Sequence, residues 1–306
     1  MKKDIVLANN PALTGLAAIR EDLRFTCEGQ EHSIIFITPQ WDRDVQPAPR
    51  HPLVVFLQGS GWTSPDRFYQ LPQLCDYAKQ GLAVALITHR NSKEGHPFPA
   101  YLKDAKAAIR YLRSQADELG INPERVAFFG TSSGGNTALL VGLTGDDPRY
   151  TTPDYPGYSD AVCAVVDCFG PTDLLHYEGV KIPKPLYLNL PIDWGVFVPQ
   201  AKKEDNRFLD SLVSLLGRQK PIDTLKAMSP LYELQPGKAY PPFLIAQGDG
   251  DEVVPFSQSL KMHEALQATG ADSTLVRVTG GAHEGNFWSE DMHRLIFSFL
   301  SRHLKA

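Results

Sequence analysis

From about residue 50 onward, short apolar runs alternate with stretches of helical spacing, and this rhythm constrains the fold more than any other feature of the chain. Runs at 53–57, 82–88, 125–129, 161–166, 243–247 and 274–278 have the length and near-continuous hydrophobicity of strands buried on both faces. Helical patterns lie between them at about 68–79, 101–119, 133–143, 256–269 and 288–304. In the second of these, Leu102, Ala105, Ile109, Leu112 and Ala116 keep one face apolar and Gly120 stops the pattern. A parallel crossover needs a helix to return the chain, so this succession predicts an α/β fold with a mostly parallel central sheet and helices on both faces. An antiparallel edge that includes 33–38 is expected ahead of it.

The rhythm breaks between about 171 and 229, where Pro183, Pro185, Pro191, Pro199 and Pro221 interrupt any regular pattern. A connection this long reads as an insertion, and its place before a late strand puts a cap at about 174–226 over the sheet's carboxyl edge, where α/β folds bind ligands. Tyr187, Trp194, Phe197, Phe208 and the apolar run 208–216 fit two roles there, lining a pocket or pinning the cap to the domain. With 306 residues, length alone would suggest two domains, but the pattern predicts one domain over 1–306 carrying this insertion.

Charge excludes some partners. The net charge is −5, and the nearest thing to a basic cluster, Lys202-Lys203, is followed at once by Glu204 and Asp205, so no nucleic-acid footprint is expected. No run has the length of a membrane span. The amino-terminal segment has two lysines but no sustained apolar stretch before Asn9, Asn10 and Pro11, so no signal peptide is read and a cytoplasmic location is expected. Cys27, Cys75, Cys163 and Cys168 form no CxxC pair, which argues against a zinc or redox site and for buried, reduced thiols. Cys163 and Cys168 fall on one expected strand, five residues apart and so on opposite faces.

The chemistry is concentrated in three loops. Gly130-Thr131-Ser132-Ser133-Gly134-Gly135 contains GxSxG directly after the strand at 125–129 and opens a helix, the context in which this otherwise short motif makes a nucleophile elbow. Ser132 occupies the nucleophile position, and the amide of Ser133 that of an oxyanion donor. A serine hydroxyl needs an adjacent base, and behind such an elbow the acid and then the histidine follow in chain order. The loop 248–255 offers Asp249, Asp251 and Glu252, of which Asp251 fits best; Asp249 reads as a turn residue, Glu252 as solvated, and Asp167 and Asp173 are rivals. His283, between the last strand and last helix, is the candidate base. His263 and His293 fall within helices, and His89 and His96 precede the serine. The loop Gln58-Gly59-Ser60-Gly61-Trp62 follows the strand at 53–57, and its small residues would let backbone amides approach an oxyanion.

With these residues in place, the chain resembles the α/β-hydrolase esterases over about residues 50 to 304, and more narrowly the hormone-sensitive-lipase-like and acetyl-xylan/feruloyl esterase branch. The QGSGW loop, the segment 96–100, Gly130 through Asn136, the segment 169–173 and the GDGDEVVP loop carry the resemblance. It implies a catalytic triad of Ser132, Asp251 and His283, and an oxyanion hole from the amides of Ser60, Gly61 and Ser133. Trp62, Trp194 and Phe197 are expected to touch substrate. The chain departs from the HGGG or HGGxW pattern of these esterases, with Gln58 in place of the histidine and Ser60 in place of the second glycine. The implied activity is hydrolysis of carboxylic esters through an acyl-enzyme with no metal or organic cofactor. The implied substrates are small-molecule or oligosaccharide esters, with acetyl and feruloyl esters of plant carbohydrates foremost. General short-chain carboxylesterase and arylformamidase activities use the same constellation. A non-catalytic binding protein of this fold would usually lack one of the three triad residues, and all three are present in order.

Overall fold

A computed structural model describes residues 4–41, 48–177, 180–181, 195–196 and 221–304. Among the described residues there are ten strands: β1 (Ala17–Cys27), β2 (Gln30–Pro39), β3 (His51–Leu57), β4 (Ala83–Ile87), β5 (Ile121–Thr131), β6 (Ala164–Cys168), β7 (Val180–Lys181), β8 (Gly195–Val196), β9 (Phe243–Gly248) and β10 (Ser273–Val278). The helices are α1 (Leu71–Lys79), α2 (Ala100–Ser114), α3 (Ala116–Leu119), α4 (Ser133–Leu143), α5 (Pro221–Ala227), α6 (Phe256–Ala268) and α7 (Glu290–Leu304).

Eight strands form one sheet in the order β1-β2-β4-β3-β5-β6-β9-β10. The six from β4 to β10 are parallel, and β2 joins them antiparallel, followed by β1. Period-two alternation sends successive side chains to opposite layers. Leu53, Val55 and Leu57 of β3 pack with α2, α4 and α6, whereas Val54 and Phe56 pack with α1 and α7. Both faces are therefore covered, which is why the strands read as unbroken apolar runs.

Several boundaries differ from the sequence expectation. The helical pattern over 101–119 divides at Gln115 into α2 and α3, and Gly120 stops it in a left-handed conformation at φ 64°. The strand expected at 161–166 begins only at Ala164, because the carbonyls of Ser159 and Ala161 accept hydrogen bonds from the Arg113 guanidinium instead. Cys163 thus lies ahead of the strand and packs on the same face as Cys168, not the opposite one. Cys27 and Cys168 are buried, but Cys75 and Cys163 are partly exposed, so burial of all four thiols does not hold.

Most of the expected cap, Trp194 and Phe197 included, lies outside the described residues. Its two flanks are close together. Asn136 of α4 is buried and donates to the carbonyls of Pro171 and Met228, both at 2.8 Å. The amide of Leu174 donates to Ser229 Oγ at 2.8 Å, and that of Leu231 to the Thr172 carbonyl at 3.1 Å. The chain therefore leaves and rejoins the fold at one place, just beyond the carboxyl end of β6.

Candidate active site

β5 ends at Thr131 and α4 begins at Ser133, leaving Ser132 alone at the corner. It adopts φ 52° and ψ −121°, a conformation a non-glycine residue holds only where its surroundings enforce it. A Cβ at Gly130 would overlap the Gly134 carbonyl, and one at Gly134 would overlap the Leu57 carbonyl. Both positions must therefore be glycine for strand, corner and helix to approach this closely.

Three side chains converge at the corner. Ser132 Oγ lies 3.0 Å from His283 Nε2, and His283 Nδ1 lies 2.9 Å from Asp251 Oδ2. A carboxylate can only accept, so Nδ1 carries the proton and Nε2 is left to accept from the serine hydroxyl. The Asp251 side chain is fully buried and fixed on every side. Its Oδ1 accepts the amides of Val253 and Val254 at 2.8 and 2.9 Å, and Gln247 Nε2 donates to Oδ2 at 3.2 Å. His283 is held from below by Phe169, whose buried ring meets the imidazole edge-on at 4.7 Å and also packs on Phe287 and Trp288.

The rival groups are engaged elsewhere. Asp249 accepts from the Gly280 amide at 2.6 Å, tying the β9 loop to the β10 loop rather than closing its own turn. Glu252 is exposed. Asp173 accepts the amides of Leu175 and His176 and ends a turn. Asp167 is fully buried beneath α4, where burial pushes its carboxyl up to about 7, and among the described residues its Oδ1 accepts only from the Gly170 amide. His263 pairs with Ser273, His293 stacks on Trp288, and His89 is bonded to the Arg90 carbonyl.

The early loop is tied to the elbow by two hydrogen bonds. The Gly59 amide donates to Thr131 Oγ1 and the Ser60 amide to Ser133 Oγ, both at 2.9 Å. This corrects one expectation: the Ser60 amide is already spent on bracing the loop. The amides of Gly61 and Ser133 have no partner among the described residues and remain free to donate, which keeps them as the candidate oxyanion donors, Ser133 as the first residue of its helix. Gln58, standing where related loops carry histidine, braces the same loop by accepting the Asp66 amide at 2.9 Å. Trp62 is not a substrate contact in this structure. It is fully buried in the core, with its ring 6.0 Å from that of Tyr101, because the chain turns inward at φ 58°.

The cleft over Ser132 has a volume of about 320 Å³ and is walled by the 58–61 loop, Tyr69, His283 and Glu284. Two larger clefts, of about 680 Å³ each, lie between α1 and α7 and beside the β1–β2 edge. Neither contains Ser132 or His283, so converging chemistry and not volume marks the site. Tyr69 and Glu284 are absent from the sequence-based candidates. Glu284 is the immediate neighbour of His283 and so could have been flagged by adjacency. Nothing in the sequence around Tyr69 points to the site.

An elbow serine bonded to a histidine that is bonded to a buried carboxylate, on this sheet order, defines an α/β-hydrolase of the serine-hydrolase class. Within that class, residues 44–266 match the BD-FAE family, the bifunctional acetyl xylan/feruloyl esterases, and the chain belongs to it. Esterase LipC of Mycobacterium tuberculosis is 28% identical over 233 residues, which cover 74% of this chain and 51% of LipC. The chain spans about half the length of the curated relatives it matches, 51% and 60% for two of them. A truncated carbohydrate esterase from gut microbiota shares the fold with a TM-score of 0.75 at 24% identity, covering 97% of this chain and 100% of that one. A bifunctional GH43-CE protein of Bacteroides eggerthii gives a TM-score of 0.70 at 26% identity over 89% of this chain and 33% of its own.

Proposed function

We propose that the protein is a serine carboxylic-ester hydrolase acting on acetyl or feruloyl esters of plant carbohydrates. The observation that carries this reading is the unbroken relay from Ser132 Oγ through His283 to Asp251, at 3.0 and 2.9 Å. His283 Nε2 takes the serine proton as Oγ attacks the ester carbonyl, and the amides of Gly61 and Ser133 receive the oxyanion. The alcohol then leaves with the proton from Nε2, and water, activated by the same nitrogen, releases the acid from Ser132. Asp251 holds the imidazole in the tautomer that leaves Nε2 free and stabilises the cation formed in between.

Family membership supports the ester chemistry, and the carbohydrate esterases among the structural relatives support the choice of substrate. Residues 174–226 are our candidate for a cap bearing part of the acyl pocket. The test is a side-by-side assay of acetyl, butyryl, long-chain and feruloyl esters, with Ser132→Ala as control. The variant should lose roughly 10⁴-fold in kcat or more and should no longer take a fluorophosphonate label. Turnover retained by Ser132→Ala would reject the mechanism. Equal rates on simple and carbohydrate esters would leave a general short-chain carboxylesterase.

A further inference from the structure

Glu284 occupies an unusual position. It directly follows His283, lines the cleft, and its backbone is held at φ 69° and ψ −160°. One oxygen, Oε2, accepts both the Tyr69 hydroxyl and the Trp288 indole N–H, the latter at 2.8 Å. Tyr69 comes from the segment before α1 and Trp288 from the segment before α7, so the carboxylate is clamped between two distant parts of the chain. The other oxygen, Oε1, has no hydrogen-bond partner among the described residues. The relay above uses neither Glu284 nor Tyr69.

The side of the cleft matters. His283 Nε2 must deliver its proton to the departing alcohol, so the alcohol half of the ester sits within hydrogen-bond reach of that nitrogen. The oxyanion amides of Gly61 and Ser133 hold the carbonyl oxygen. Glu284 lines the same cleft as Ser132 and His283, so its carboxylate is open to a substrate whose alcohol half meets His283 Nε2. An ionised carboxylate can only accept, so its complement is a hydroxyl donor on the substrate. A site built to hydrogen-bond a hydroxyl discriminates strongly against an alcohol that lacks one, since the carboxylate has then lost its water and gained nothing.

We propose that Glu284 is a specificity residue whose free oxygen accepts a hydroxyl of the alcohol half of the ester, selecting polyhydroxylated, sugar-like alcohols over plain ones. Tyr69 and Trp288 position it by fixing the other oxygen. The proposal rests on the esterase reading, and its test keeps the two apart.

The experiment compares a monoacetate of methyl β-xyloside with cyclohexyl acetate. Both release acetate from a secondary ring alcohol, but only the first carries free hydroxyls. Glu284→Ala should lower kcat/KM on the xyloside ester about 10- to 100-fold more than on cyclohexyl acetate, mainly through KM. Glu284→Gln offers Tyr69 and Trp288 the same acceptor but turns an N–H₂ toward the substrate. It should move the ratio in the same direction but by less, because a sugar hydroxyl can still accept from that N–H₂ in a weaker neutral bond, and it reads the proposal should the alanine variant fold poorly. Tyr69→Phe, which frees one side of the clamp, should move the ratio less. Equal losses on both esters for Glu284→Ala and Glu284→Gln would overturn the proposal and leave Glu284 as support for the His283 loop. Wild-type turnover of cyclohexyl acetate without turnover of the xyloside ester would overturn the proposal alone. No turnover of any ester would overturn both readings.

Discussion

Asp249 and Asp251 stand two residues apart in one loop, yet they do different work. Asp251 is buried, takes two backbone amides on one oxygen and presents the other to His283, whereas Asp249 spends an oxygen on the Gly280 amide at the surface. Replacing Asp251 by asparagine leaves an amide that can face Nδ1 with its N–H₂, favouring the tautomer in which Nε2 is already protonated. Asp251→Asn should therefore lose about 10⁴-fold in kcat, while Asp249→Asn should stay within about tenfold of the parent, as steady-state kinetics on any turned-over ester would show. Near-parental activity in Asp251→Asn would return the acid to Asp167 or Asp173.

The elbow works only because two strands and a helix nearly touch. Gly59 approaches so closely that a Cβ there would lie 2.5 Å from that of Ser132, and Gly134 of α4 sits directly against the β3 backbone. Gly134→Ala must push α4 away from β3, with backbone on both sides and no flexible side chain to yield. It should destabilise the protein by about 3 kcal/mol or more and remove activity with it. Gly157→Ala is the control: its Cβ meets open space, so only the left-handed strain at φ +84° remains, about 1 kcal/mol. Chemical denaturation of the two variants would compare these costs, and similar values would mean that the elbow is looser than its geometry implies.

Across the whole molecule, two buried carboxyls shape stability in opposite directions. Asp104, under the β1–β2 edge, feels burial that would raise its pKa, but the His32 imidazole 3.5 Å from its Oδ1 and hydrogen bonds from Arg90 outweigh it and hold the group at about 2. Its contribution is complete above the ordinary 3.8 and disappears as pH falls from there through about 2. Asp167 does the reverse. Burial holds it protonated up to about 7, with Oδ2 lacking any partner among the described residues, while the unfolded chain releases that proton near 3.8. Stability therefore declines as pH rises from about 3.8 to about 7 and levels off above. Asp167→Asn removes this titration, so the Tm of the variant relative to the parent should increase between pH 4.5 and pH 8. The unpaired amide adds a cost that does not vary with pH, so a constant Tm difference across that range would contradict the assignment.

The strands, the alternating order, Ser132, Asp251 and His283 were legible in the chain itself, because each depends on local information. A buried parallel strand must be apolar along its length, a sharp strand-to-helix corner must carry glycines, and acid and base must follow the serine at strand ends. The division of α2 from α3 at Gln115 was not legible, nor was the late start of β6, where Arg113 reaches across from α2 to take the Ala161 carbonyl that a strand would have paired. Only the tertiary structure decided that Trp62 faces the core, that the Ser60 amide is consumed by Ser133, and that Phe169 braces the imidazole. The meeting of Tyr69, Glu284 and Trp288 belongs with these, because Tyr69 lies 215 residues from the glutamate it bonds and no local pattern encodes a contact of that span.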